Sequence, residues 1–204
     1  YDGTAHEAGV ATAADSNGNE LKIEYSVDGT NWTTDPGTIT ATEVKDSVTV
    51  NVRVSSEGNY DGYVTGTEKL TITKRPIEIT GSGWTSSQPY TGKAYTKTDY
   101  EVEQADAANT RGLVAGETAT VSYEITGTNV GPYTGTFGDD LEIKTAGGIL
   151  GIGAKNVTDN YTVTKTPGTL TISKAEINQY VTLNPRDVEE VYDGTAHEAG
   201  VATA

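Results

Sequence analysis

Residues 48–54 read VTVNVRV, and residues 21–27 read LKIEYSV. Both alternate apolar and polar side chains without a break. Because successive side chains of a strand point to opposite faces, period-two alternation marks a strand with one buried face. Shorter pieces fit the same template at 70–72, 77–79, 121–125, 141–143, 161–163, 170–172 and 181–183. Turn formers separate them: Asn17-Gly18, Asp28-Gly29, Asp35-Pro36-Gly37 and Gly147-Gly148. One stretch, 100–110, has a second reading as a short helix, since Ala105, Ala107 and Ala108 favour that state. Many short strands at regular spacing predict an all-β chain built as antiparallel β-sandwiches. Val, Ile, Leu, Tyr and the two tryptophans, Trp32 and Trp84, are the candidates for its core.

Composition agrees. The 204 residues include 24 Gly and 12 Tyr but one Phe, no Cys and no Met. Thr and Tyr suit half-exposed strands, and Gly suits tight turns. The absence of Cys excludes disulfides and thiolate metal sites. Acidic residues outnumber basic ones 29 to 14, for a formal charge of −15. That balance disfavours a nucleic-acid or anionic-membrane partner, which requires a basic footprint. No apolar run approaches the ~18 residues needed to span a bilayer. There is no initiator Met or signal peptide, so the chain reads as part of something longer, with any targeting signal outside it.

YDGTAHEAGVATA occurs twice, at 1–13 and at 192–204, an offset of 191 residues. The simplest origin is a tandem array with that period. A weaker repeat lies inside the period. LTITK at 70–74 matches LTISK at 170–174, each preceded by Asn-Tyr (Asn59-Tyr60, Asn160-Tyr161), and YDGTA at 1–5 is echoed by YTGKA at 90–94. The expected organisation is therefore two end-to-end units. Residues 1–74 form a unit without its first strand, 75–174 form a full unit, and 175–204 supply the first strand and start of the next copy. The joints at 73–76 and 173–176 are about four residues long, and the first carries Pro76. Such short links are stiff rather than flexible tethers. A spare strand at 175–191 beside an open edge in 1–74 predicts head-to-tail strand addition between copies.

These motifs carry a resemblance. DNYTVTKTPGTLTISKA at 159–175 is similar to the closing segment of MBG and YDG repeat domains, found in tandem in large secreted or wall-anchored bacterial proteins. YDGTA matches the Tyr-Asp-Gly motif, and PYTGKA at 89–94 is a variant with Thr91 in place of Asp. GLVAGETATVSYEITGTNVGPYTG at 112–135 resembles the middle of such a domain. YSVDGTNWTTDPGTIT at 25–40 resembles related immunoglobulin-like repeats of Firmicute surface proteins. The resemblance implies an extracellular stalk, adhesin or fibre without catalysis. The alternative it leaves open is a mucin- or glycan-binding module, with Trp32, Trp84 and surface tyrosines as stacking platforms.

Searched for chemistry, the sequence offers no catalytic, cofactor or metal residue. His6 and His197 are one repeat position, a lone and solvated histidine. Glu189-Glu190 and Asp139-Asp140 read as exposed charges, which also discourage wrong edge pairing. GGILGIG at 147–153 lacks the Lys-Ser/Thr of a phosphate loop and reads as a hairpin. DSNGNE at 15–20 has the alternating oxygens of a calcium loop but not its distal glutamate; an Asn-Gly turn accounts for the same residues, and calcium stiffening of a rod stays the lesser alternative. Asn31, Asn156 and Asn160 begin Asn-x-Thr triplets, read here as turns followed by strand threonines. A Lys–Asn amide cross-link is open to test by intact mass.

Overall fold

The computed structural model describes residues 1–55, 60–147 and 153–200. The first 74 residues supply β1 (His6–Glu7), β2 (Ile23–Ser26), β3 (Thr40–Ala41), β4 (Val48–Ser55) and β5 (Tyr63–Leu70). Next come β6 (Arg75–Gly81), β7 (Gln88–Pro89), β8 (Tyr95–Lys97), β9 (Tyr100–Val102), β10 (Thr118–Thr120) and β11 (Tyr123–Gly127). The series ends with β12 (Gly131–Thr134), β13 (Thr136–Phe137), β14 (Glu142–Lys144), β15 (Tyr161–Thr166) and β16 (Thr169–Ser173). The chain is all-β, and among the described residues only isolated 3₁₀ turns accompany the strands. Its sheets have the orders β1-β3, β2-β4-β5, β15-β6-β9, β12-β16-β7, β13-β11-β8 and β10-β14.

Most ladders are antiparallel, as the short turns require. Two are not: β6 runs parallel to β15 from Arg75 beside Tyr161 to Thr80 beside Thr166, and β7 runs parallel to β16. Here the opening and closing strands of residues 75–174 lie side by side in one direction. Both leave the first ladder together and enter the second. Gly81 and Gly168 permit the crossing. A Cβ on Gly81 would sit 2.3 Å from the Tyr123 ring, and one on Gly168 would sit 2.3 Å from the Ser82 carbonyl. The Tyr123 hydroxyl ties the crossing by donating to Ser82 O at 2.8 Å and accepting from Gly168 N–H at 3.1 Å. Gly81→Ala is expected to cost about 1–3 kcal/mol through overpacking against that ring, read as a lowered urea midpoint at unchanged slope.

Alternation becomes burial where strands have a partner layer. In β6, Arg75, Ile77, Ile79 and Gly81 face inward; in β11, Tyr123, Ile125 and Gly127 do; in β16, Leu170 and Ile172 do. Four apolar clusters result. Two lie within residues 1–74: Ala8, Tyr25 and Val50, then Ala41, Leu70 and Ile72. Two lie in 75–174: Ile77, Leu113, Ile143, Val157 and Tyr161, then Tyr123, Ile125, Leu170 and Ile172. Neither tryptophan is fully buried. Trp84 packs on the last cluster, while Trp32 stays outside all four.

Two expectations need correction. Residues 100–110 contain no helix: β9 takes the first three and irregular turns the rest. β9 pairs with β6, the Glu103 N–H donates to Glu78 O at 2.9 Å and the Glu103 carbonyl accepts from Leu113 N–H at 2.8 Å, so the backbone groups a helix would use are bound elsewhere. Past them, the buried Arg75 guanidinium donates to the carbonyls of Asn109, Arg111 and Gly112 at 2.5, 2.6 and 2.6 Å. Asn109 and Gly112 also adopt positive φ, at 54° and 77°. Residues 181–183 are not a strand. Val181 and Leu183 are 45 % and 65 % exposed, and among the described residues no sheet includes them. The hairpin expected at 147–153 falls mainly on residues 148–152, which lie outside the described residues, as do Asn59 and 201–204.

Candidate functional site

The Tyr-x-Gly motif builds a local turn from its own side chains. Asp2 Oδ1 accepts from the Thr4 N–H at 2.9 Å and the Thr4 hydroxyl at 2.8 Å, with His6 Nε2 at 3.0 Å. Partial burial pushes the Asp2 carboxyl up, but those hydrogen bonds outweigh it and hold it at about 2. In the second copy Asp193 repeats the pattern with Thr195 and His197 at 2.9, 2.7 and 3.0 Å. In the internal echo Thr91 takes the role of Asp, its hydroxyl accepting the Lys93 N–H at 3.4 Å. The motif glycine sits in the left-handed region all three times: Gly3 at 81°, Gly92 at 74° and Gly194 at 78°. The turn is autonomous, so its tyrosine is free to be used elsewhere.

Tyr1 is used at the boundary between the two sets of clusters. Its ring packs on the Ala41-Leu70-Ile72 cluster and on the Ile77-Tyr161 cluster at once. It meets the Tyr161 ring edge-on, centroids 5.6 Å apart. The Tyr1 hydroxyl donates to Glu117 Oε1 at 2.5 Å, and the Tyr161 hydroxyl donates to Oε2 of the same carboxylate at 2.6 Å. Tyr161 also accepts the Val114 N–H at 3.0 Å, and a Cβ on Gly3 would press on Val114 at 3.0 Å. A second tie crosses nearby, where buried Asn160 accepts the Val44 N–H at 2.9 Å. Residues 71–74, the chain link itself, are short and irregular. The link is thus bridged by two phenols sharing one carboxylate and by one amide.

Burial first, and then the Glu117 carboxylate, raise both phenols well above the tyrosine value of 10.0. A raised folded-state value means stability that is complete below the unfolded value and is lost as pH climbs above it. The melting temperature is therefore expected to fall from about pH 10 upward. Tyr1→Phe with Tyr161→Phe should flatten that fall. An equally steep fall in the double variant would exclude this origin.

The candidates raised by the sequence go to other uses. Trp32 carries the Arg53 guanidinium 3.9 Å from its ring centroid, with Arg53 also paired to Glu24 at 2.7 Å. Trp84 carries Lys97 Nζ at 4.7 Å and meets Tyr95 edge-on. One face of each indole is therefore occupied by a cation. Asp15 spends its oxygens on Asn17 N–H, Asn19 N–H, the Asn19 amide and the Tyr60 hydroxyl, at 2.8–2.9 Å. Asp140 holds the Ser122 N–H and hydroxyl. Glu189 and Glu190 are exposed. Among the described residues, no three His, Cys, Asp or Glu are grouped to hold a metal. Asn31 donates to Asp28 at 2.6 Å. Asn156 caps Thr158 at 3.0 Å.

Glu117 and Asn160 escaped sequence reading as boundary residues. Glu117 looks like any turn acid after Gly116. The only signal for Asn160 was its place before the repeated tyrosine. Against protein-family models, curated proteins and solved structures alike, the chain finds no match.

Proposed function

We propose that this chain is a structural repeat segment of a secreted bacterial surface stalk, adhesin or extracellular fibre. Residues 1–74 and 75–174 act as tandem immunoglobulin-like sandwiches stacked end to end, and the segment works by setting length and stiffness, without catalysis. The carrying observation is the seat of Tyr1. The repeated motif places its tyrosine across the short link, where Glu117, Tyr161 and Asn160 hold both sides. In a tandem array the same tyrosine recurs every 191 residues, so every such link would be pinned alike. Tyr192, its turn already formed but its ring 91 % exposed, is the same part before docking. The strongly acidic surface suits a long array that must not clump. The glycan-binding alternative loses support at the indoles, whose faces are partly taken.

X-ray scattering tests this on the present chain and on a chain carrying two 191-residue periods. The maximum dimension is expected to grow in proportion to period number at constant cross-section. A compact envelope for the longer chain would contradict the reading.

A further inference from the structure

Glycine follows an Asn or Asp at five places: Asn17-Gly18, and Asp-Gly at 2–3, 28–29, 61–62 and 193–194. In such a pair the side-chain carbonyl carbon lies within reach of the next backbone nitrogen, and glycine has no Cβ to block the approach. Three of the aspartates are held by other donors. Asp2 accepts from the Thr4 N–H and hydroxyl, Asp193 from those of Thr195, and Asp28 from the Thr30 and Asn31 N–H groups. Asp61 accepts from Gly62 N–H at 2.9 Å, but a carboxylate lacks the leaving group that a carboxamide has in ammonia. Asn17 has that leaving group. It is exposed, and among the described residues its side chain makes no hydrogen bond. No atom lies within 4 Å of a Cβ placed on Gly18. By contrast, the side-chain amides of Asn19, Asn31 and Asn51 donate to Asp15, Asp28 and Ser26 O, and those of Asn156 and Asn160 accept from Thr158 and Val44 N–H. Each of these five precedes a residue with a side chain.

We propose that Asn17 is a site of spontaneous covalent change, converted by water to aspartate and isoaspartate, and that the change unfastens the hairpin at 14–20. The Gly18 N–H donates to Asp15 O at 3.0 Å, and this bond of an exposed turn opens first, at small local cost. The Gly18 nitrogen then gives its proton to base and forms a bond to Asn17 Cγ. The Cγ–Nδ2 bond breaks, and Nδ2 takes up a proton and leaves as ammonia. Water adds to one of the two carbonyl carbons of the resulting ring, and that carbon's bond to nitrogen breaks. Opening at Cγ gives aspartate. Opening at the backbone carbon gives isoaspartate, whose chain runs through Cβ and Cγ and so gains a backbone atom before Gly18. Asp15 Oδ1 now spans the Asn17 and Asn19 N–H groups, at 2.9 and 2.8 Å, on either side of that point. The lengthened chain breaks this clasp and the register of the Ala14–Glu20 bridge. Asp15 Oδ2 also accepts the Tyr60 hydroxyl at 2.8 Å, so the hairpin's tie to the residues leading into β5 weakens with it. The new carboxylate lies close to Asp15 and adds repulsion between like charges.

The chemistry depends on residues 14–20 and Tyr60 alone, so its outcome is separate from that of the stalk reading. The test is to age the chain in warm, mildly alkaline buffer made with heavy-oxygen water and to map its peptides by mass. Aspartate and isoaspartate carrying a heavy oxygen are expected at position 17, several-fold faster than at any other asparagine. An isoaspartyl methyltransferase should label the same peptide. Asn17→Gln, which needs a larger ring, should remove the signal, and Asp15→Ala, which frees the turn, should speed the parent reaction several-fold. In the separated isoaspartyl form, the Asn19 N–H should exchange with deuterium several-fold faster than in the fresh chain. An intact Asn17 after ageing, or faster loss at another asparagine, would overturn the site. Unchanged exchange at Asn19 would overturn the unfastening.

Discussion

Arg75→Ala is expected to lower the stability of residues 75–174 by about 3–5 kcal/mol, because one substitution removes the charge-assisted donors of three carbonyls at once. Arg75 is 1 % exposed at the start of β6. Its Nε, Nη1 and Nη2 donate to Gly112 O, Asn109 O and Arg111 O, so one side chain satisfies three carbonyls of one loop. The loop has few other reasons to fold as it does. Gly112 N–H donates to Pro76 O at 2.9 Å, Asp106 caps the Thr110 N–H at 2.6 Å, and Arg111 pairs with Glu103 at 2.6 Å. Alanine would leave the three carbonyls facing a hole, at about 1–3 kcal/mol for each group left unsatisfied and dry. Lysine, a single ammonium without the guanidinium fork, should recover less than half of the loss. Urea melts followed by Trp84 fluorescence in a Trp32→Phe background measure this. A loss below about 1 kcal/mol would mean that water replaces the guanidinium.

The second large effect is on coupling. Tyr1→Ala removes the edge-on contact with Tyr161, one hydrogen bond to Glu117 and the apolar cover of two clusters. An aromatic pair contributes about 0.5–1.5 kcal/mol and a hydrogen bond to a charged group about 1.5–3 kcal/mol. Because Tyr1 is only half-buried, a coupling loss of about 2–3 kcal/mol is expected after screening. The two tryptophans report it, since Trp32 sits in residues 1–74 and Trp84 in 75–174. In the parent chain the two single-tryptophan melts should coincide. In Tyr1→Ala and in Glu117→Ala they should separate. Coincident melts in both variants would show that the boundary contacts carry no coupling.

What was legible in the sequence follows physical range. VTVNVRV and LKIEYSV became β4 and β2 because alternation is a local code that the partner layer reads directly. Turns such as Asp28-Gly29 were legible too, because Asp28 takes the Thr30 and Asn31 N–H groups and Gly29 supplies the positive φ, all within a few residues. The second, helical reading of 100–110 did not hold because the partners of its backbone lie elsewhere in the chain: β6 pairs with 100–102, Glu78 O takes the Glu103 N–H and Leu113 N–H takes the Glu103 carbonyl. The strand reading at 181–183 failed because alternation makes a strand only when an edge is offered, and among the described residues no sheet offers one to that segment. The parallel ladders were hidden for a related reason. Parallel pairing joins positions 86 residues apart, such as Arg75 and Tyr161, with no hairpin turn to announce it. Tyr1, Glu117 and Asn160 converge from three distant places, so only the repeat hinted that Tyr1 mattered.

Stiffness across residues 71–74 is the point on which the functional reading turns. Spin labels on Thr30→Cys and Thr164→Cys, both at exposed positions in a chain without other cysteines, report it as a distance distribution. One narrow peak is expected for the parent chain, broadening when Tyr1→Ala is added. A broad distribution in the parent chain, unchanged by Tyr1→Ala, would contradict it.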